Sequence, residues 1–121
     1  MIAITTNTHR VFIIAEATAM AADVESVVID FRDMPLGSVQ VVWENADSTD
    51  GEFKLYASNF SEANTFTEDN AIPLSDFVVT SPSGSKLWSY ERLAFRYMML
   101  KWKSNGTSTG TMKAIAIGKK T

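Results

Sequence analysis

The sequence predicts an all-β fold, an antiparallel two-sheet β-sandwich or jelly roll with little helix, formed by residues 1–121 as a single domain. Three observations lead to it. Short segments rich in Val, Ile and Phe alternate apolar with polar residues, the period of a half-buried strand. Clusters of Gly, Pro, Asn, Asp and Ser separate those segments and supply turn chemistry. Finally, 45% hydrophobic residues, with three Trp, three Tyr and seven Phe, furnish a core without a single cysteine.

The elements follow in order. Arg10 to Ala15 (RVFIIA) is apolar and β-branched. Glu16 to Glu25 (EATAMAADVE) has helix-forming alanines, yet strong strand signals flank it. A strand ending near Thr18 followed by a loop is the favoured reading, a short helix the other. Ser26 to Arg32 alternates Val27, Ile29 and Phe31 against Ser26, Val28, Asp30 and Arg32, and Met34-Pro35-Leu36-Gly37 punctuates the chain. Ser38 to Glu44 sets Val39, Val41 and Trp43 on one face, and Glu52 to Ser58 does the same with Phe53, Leu55 and Ala57. With the polar connection Asn45 to Gly51 between them, these two strands read as a hairpin with a long loop. Asn59 to Asn70 reads as a polar loop, and Phe77 to Thr80 as a short strand before the turn Ser81-Pro82-Ser83-Gly84. Ala94 to Lys103 is a long aromatic strand, and Ser104 to Gly110 a turn region leading into the closing strand Thr111 to Gly118. That last pair carries the clearest hairpin signal in the chain.

Charge is unevenly distributed. Residues 1–85 carry about −10 and residues 86–121 about +7, giving the net −3. Either acidic early strands lie beside basic late strands and neutralise one another, the favoured reading, or unlike patches on separate faces orient assembly. No run approaches the ~20 apolar residues of a membrane span, and Met1 to Arg10 lacks the basic start and apolar run of a secretory signal.

The search for chemistry returns little. The lone histidine, His9, has no G-x-S-x-G elbow to accompany it, and phosphate-binding and dinucleotide fingerprints are lacking. One His with no Cys argues against zinc, and no cofactor is expected. The loop from Asn45 to Glu52, with Asp47 and Asp50, is the best candidate for calcium, but its spacing does not follow the EF-hand pattern, and a solvated loop is the simpler reading. Arg92 to Lys103 mixes bases with Tyr97 and Trp102, as a single-strand nucleic-acid platform would. The negative net charge and the alternation argue instead for a strand with a buried aromatic face. An enzyme is not expected.

Three stretches permit a family comparison: SVVIDFRDM, SVQVVWENADSTDGEFKLYASN and LWSYERLAFRYMMLKWKSNGTSTGTMKAIAIGKK. Over residues 26–120 the chain resembles small β-sandwich proteins encoded among the virion genes of tailed bacteriophages. The shared features fall at Val42-Trp43, Gly51, Phe53 to Leu55, Ser58-Asn59, Arg96-Tyr97, Thr109 to Thr111 and Lys119. The strand pattern also resembles discoidin-like carbohydrate-binding domains. Those carry an S-N-D-G turn where this chain has Ser58-Asn59-Phe60-Ser61, and a second late-strand arginine where it has Met99.

The resemblance implies a virion structural protein, foremost a capsid decoration (cement) protein on the capsid exterior, made in the host cytoplasm. Its implied partners are the major capsid protein and further copies of itself, as a dimer or trimer, with no membrane or nucleic acid. A neck- or tail-associated role competes within that class. A carbohydrate-binding adhesion module competes from outside it, with Trp88 and Tyr90 as candidate stacking residues and core packing as their simpler role. Trp88, Tyr90, Asp47 and Asp50 are thus the candidate surface-binding residues.

Overall fold

The computed structural model describes residues 3–5, 9–26, 28–31, 34–59, 71–91 and 95–119. Among these residues there are ten strands and no helix. They are β1 (Ala3–Thr5), β2 (His9–Ala19), β3 (Val24–Glu25), β4 (Ile29–Asp30), β5 (Leu36–Glu44), β6 (Glu52–Ser58), β7 (Ile72–Val78), β8 (Gly84–Tyr90), β9 (Tyr97–Lys103) and β10 (Thr111–Lys119). Two antiparallel sheets result. The first has the order β1-β2-β10-β5-β8, and the second β3-β9-β6-β7 with β4 also on β9. Apart from β1, which pairs with β2, early strands pair with late ones, β2 with β10, β3 and β4 with β9, β5 with β8, and β6 with β7. A long antiparallel ribbon rolled into two layers has this order, so the fold is the jelly roll.

The topology corrects both expected hairpins. β5 and β6 lie in different sheets, as do β9 and β10. Residues 45–51 and 104–110 therefore cross from one layer to the other instead of reversing within it. Residues 20–23 and 79–83 cross at the same end, and hydrogen bonds tie the four connections together. Met20 N–H donates to Gly110 O at 3.0 Å, Ala46 N–H to Pro82 O at 2.9 Å, and Val79 N–H to Gly51 O at 2.9 Å.

Other boundaries also move. β2 runs to Ala19 before its loop, so the strand reading of that segment holds and no helix forms there. Its ladder with β10 slips twice, between Met112 and Ala114 and between Ala114 and Ile115, and Ala17 lies at φ 40° within the irregular stretch. The strand expected over 26–32 is reduced to short pairings on either side of Ser26, β3 and β4. At Ser26 itself the backbone N–H bonds Leu100 O at 2.8 Å while the side-chain Oγ accepts the Leu100 N–H at 2.9 Å, replacing a backbone carbonyl in the ladder. The short strand expected at 77–80 is β7, which begins at Ile72. β8, with Trp88 in its middle, was not expected as a strand. The long aromatic strand starts at Tyr97. Most of the polar segment 59–70 lies outside the described residues.

The core sits between the sheets, where the alternation placed it. Val39, Val41 and Trp43 of β5 face Phe53 and Leu55 of β6, with Leu100 and Trp102 of β9 alongside. Trp43, Phe53 and Trp102 form a continuous aromatic spine, with ring centroids 5.7 and 4.6 Å apart. Its two indole N–H groups are satisfied, Trp43 by Ser81 O and Trp102 by Met20 O. Large buried side chains of this kind each stabilise the fold by roughly 1.5–3 kcal/mol. Two glycines are fixed by this packing. A Cβ on Gly51 would lie 2.1 Å from the Trp102 ring, and Gly110 combines φ +115° with backbone of Ala46 only 3.0 Å from a Cβ.

Candidate binding surface

The end of the roll that carries the four crossings holds Asp47 and Asp50. The Asp47 carboxylate accepts the Ser108 N–H at 2.8 Å, the Ser108 hydroxyl, and the Thr109 N–H at 3.3 Å. Those donors, led by the Ser108 hydroxyl, hold its carboxyl below the ordinary value of 3.8 although it is exposed. Asp50 takes part through its backbone: its carbonyl accepts from Asn105 Nδ2 at 3.0 Å and its N–H donates to Ser48 Oγ. Asp23 does a similar job nearby, accepting the N–H and hydroxyl of Ser104, which lower its pKa. Asp47 is thus a clamp between the two crossings predicted to be hairpin loops. Among the described residues, no three His, Cys, Asp or Glu side chains converge as a metal site needs.

Trp88 lies elsewhere. It is only 6% exposed, packs in the main core opposite Val39, and donates its Nε1–H to Ser75 Oγ at 3.0 Å. Core packing is therefore its role here, and it offers no ring face for stacking on a sugar. Lys86, whose backbone pairs with Val41, lays its ammonium 5.3 Å from the Phe77 ring and 6.0 Å from that of Trp88. A cation turned inward on edge strand β8 protects the core and disfavours edge-to-edge pairing. Pro73 on edge strand β7 lacks an N–H to offer a neighbour.

Tyr90 is half-buried, and burial pushes its hydroxyl pKa up. It packs edge-on against Phe95, with ring centroids 6.3 Å apart. It also lines an open depression of about 390 Å³ with Leu36, Ser38, Glu91, Ile117 and Lys119. Of the four candidates, Tyr90 alone combines an aromatic ring with an accessible concave surface.

One exposed apolar surface among the described residues is not singled out by the sequence reading. It is the outer face of the β2-β10-β5-β8 layer. There Ile115 and Ile117 remain 41% and 37% exposed, Leu87 57%, and Val11, Ile13 and Val42 are partly exposed beside them. Register brings them together: Ile115 is opposite Ile13 and Gln40, Ile117 is opposite Val11, and Gln40 is opposite Leu87. The signal was present. RVFIIA and TMKAIAIG are apolar at both parities, whereas a strand with one solvated face alternates.

No family model matches the chain, and no curated protein matches it in sequence. Solved structures do match in fold. The SPBc2 prophage-derived protein YomS superposes with a TM-score of 0.60 at 15% identity, over 96% of this chain and 97% of that one. A chitosan-binding module from a chitosanase/glucanase of Paenibacillus sp. IK-5 gives a TM-score of 0.53 at 16% identity, over 93% and 77%. Murine APRIL gives 0.53 at 8% identity, over 90% and 97%. At these identities the likeness establishes the antiparallel β-sandwich and nothing finer.

Proposed function

We propose that this chain is a structural protein of a bacteriophage particle, and specifically a decoration protein bound to the exterior of the capsid shell. The observation that carries the reading is the end-to-end likeness to a prophage-derived protein, with neither chain leaving a sizeable remainder. The sequence resemblance to phage virion β-sandwiches points the same way. A rigid two-layer roll with a part-apolar outer sheet face suits work done by surface contact, and no catalytic step is assigned to it. Its partners on this reading are the major capsid protein and further copies of itself.

The test is add-back to purified particles assembled without the protein. Co-sedimentation saturating at a fixed copy number, with a raised temperature of capsid rupture, is the expected result. Failure to bind such particles overturns the decoration role, and binding to isolated tails or necks would move the protein there.

A second reading has two observations in its favour: the fold is shared with a chitosan-binding module, and Tyr90, Ser38, Glu91 and Lys119 are among the residues that line one open depression. On that reading the chain is an adhesion module, and a chitosan or glycan-array signal lost in Tyr90→Ala supports it. Arrays without any signal reject it.

A further inference from the structure

We propose that the outer face of the β2-β10-β5-β8 layer binds a second copy of this chain, face to face and antiparallel, about a two-fold axis crossing the strands at the level of Ile115. Such pairing is independent of the virion reading, because it requires only the sheet face.

The cross-strand row Ile13, Ile115, Gln40 and Leu87 is one register level running across the four strands. A two-fold axis lying between the two faces along this row keeps the lateral order and reverses the strand direction. Each member of the row then meets itself: Ile13 on Ile13, Ile115 on Ile115, Leu87 on Leu87. The Gln40 amide meets Gln40, and an amide offers both donor and acceptor, so it can bond its own copy. Self-complementarity of this kind is what an isologous contact requires.

The charges on the face agree. Lys119 lies four residues from Ile115 on one side, and Thr111, paired with Glu44, lies four residues away on the other. Antiparallel stacking sets Lys119 of each copy over Thr111 of the other, beside Glu44, giving two symmetric Lys–Glu contacts. Lys113, two residues from Ile115, comes over Ile117 of the partner and can lay its methylenes there while its ammonium reaches water. The parallel arrangement would stack Lys119 near Lys119 and Glu44 near Glu44. The face is also large enough. Four strands of seven to eleven residues, at ~3.3 Å per residue and ~4.8 Å between strands, outline about 600 Å² per copy. Two copies then bury on the order of 1,200 Å², at the lower bound of specific interfaces.

Sedimentation equilibrium of the purified chain between micromolar and hundred-micromolar concentration tests the pairing. A monomer–dimer equilibrium is expected. Ile115→Thr, which keeps a β-branched residue on an exposed position, should weaken it at least tenfold while the circular dichroism spectrum stays unchanged. Lys119→Glu alone and Glu44→Lys alone should each weaken it about fivefold or more, and the double variant should return to within about twofold of the native value. A chain that stays monomeric throughout overturns the proposal, as does a dimer or trimer indifferent to Ile115. So does a double variant no better than the single ones, since only antiparallel self-pairing predicts that rescue. A monomer that still decorates particles would remove the pairing and leave the virion reading intact.

Discussion

Replacing Gly51 by alanine tests whether the crossing between β5 and β6 is locked by the indole of Trp102. The added Cβ would sit 2.1 Å from one ring carbon and 2.6 Å from the next, more than an ångström inside the ~3.5 Å of a favourable carbon–carbon contact at its closest point. The ring has nowhere to withdraw. Trp102 is 1% exposed, packs on Phe53 at 4.6 Å, and is pinned by its bond to Met20 O at 3.0 Å. Overpacking of this sort costs about 1–3 kcal/mol, and a ring pushed off Met20 O leaves a buried donor and acceptor apart at about 1–3 kcal/mol more. Alanine returns roughly 0.4–1 kcal/mol by restricting the unfolded chain. The net expectation is a loss of about 2–4 kcal/mol.

Urea denaturation followed by circular dichroism measures this loss, and a double-mutant cycle assigns its cause. Trp102→Phe is destabilising in itself, but it removes the ring atoms that the added methyl group would strike. In that background Gly51→Ala should cost less than about 1 kcal/mol, so the two changes couple by more than ~1 kcal/mol. Equal costs in both backgrounds would refute the clash as the reason for this glycine. Gly51 is not among the positive-φ glycines, so backbone strain offers no rival explanation.

Three further outcomes follow from the same contacts. Trp88→Ala should lower stability by about 3–5 kcal/mol, the usual cost of emptying a buried aromatic site; a loss below ~1 kcal/mol by thermal denaturation would contradict its core placement. Ser26→Ala should leave the Leu100 N–H without the hydroxyl that accepts it, costing about 1–3 kcal/mol and speeding amide exchange at Leu100 relative to neighbouring β9 residues. Asp47→Asn addresses pH. The folded carboxyl lies below its ordinary 3.8 because Ser108 and Thr109 donate to it, so its contribution is present above that value and fades as pH falls through the folded one. The native chain should therefore lose stability on acidification below about pH 4, and the variant should start less stable at neutral pH and show a shallower decline. Parallel declines would show that Asp47 does not contribute to the acid sensitivity.

Much of the fold was legible because burial in a strand has period two. Val39, Val41 and Trp43, and likewise Phe53 and Leu55, lie on the inward face that the alternation assigned them. Pairing partners were not legible. Alternation says which way a side chain points but not which strand lies beside it, and a seven-residue polar connection serves a hairpin or a crossing equally well. The fact that decides between them is non-local: β5 is held by β8 and β10, forty and more residues away in sequence. The site suffered from the same blindness. An isolated Trp88 looks like a stacking platform until β7 supplies Ser75 to its indole N–H. Asp47 looks like a cation ligand until Ser108 and Thr109 arrive from the other crossing.

The uneven charge of the chain is best understood through this pairing. In a roll, the N-terminal half of the ribbon lies against the C-terminal half, so an acidic first part and a basic last part become neighbours. Asp30 meets Arg96 through two bonds of 3.1 and 3.2 Å, and Glu25 meets Lys101 at 3.4 Å. Each such exposed pair adds under about 1 kcal/mol, so their larger effect is on register: a strand paired with the wrong partner would set like charges side by side. β10 departs from this pattern. Its lysines at 113 and 119 stand on the outer face among exposed isoleucines, where Glu44 is the acid nearest in register to Thr111. Charge that the roll uses internally to choose its strand partners thus has a remainder on one face. That remainder, with Lys119 at one end of β10 and Glu44 opposite Thr111 at the other, is what would orient a second copy on it.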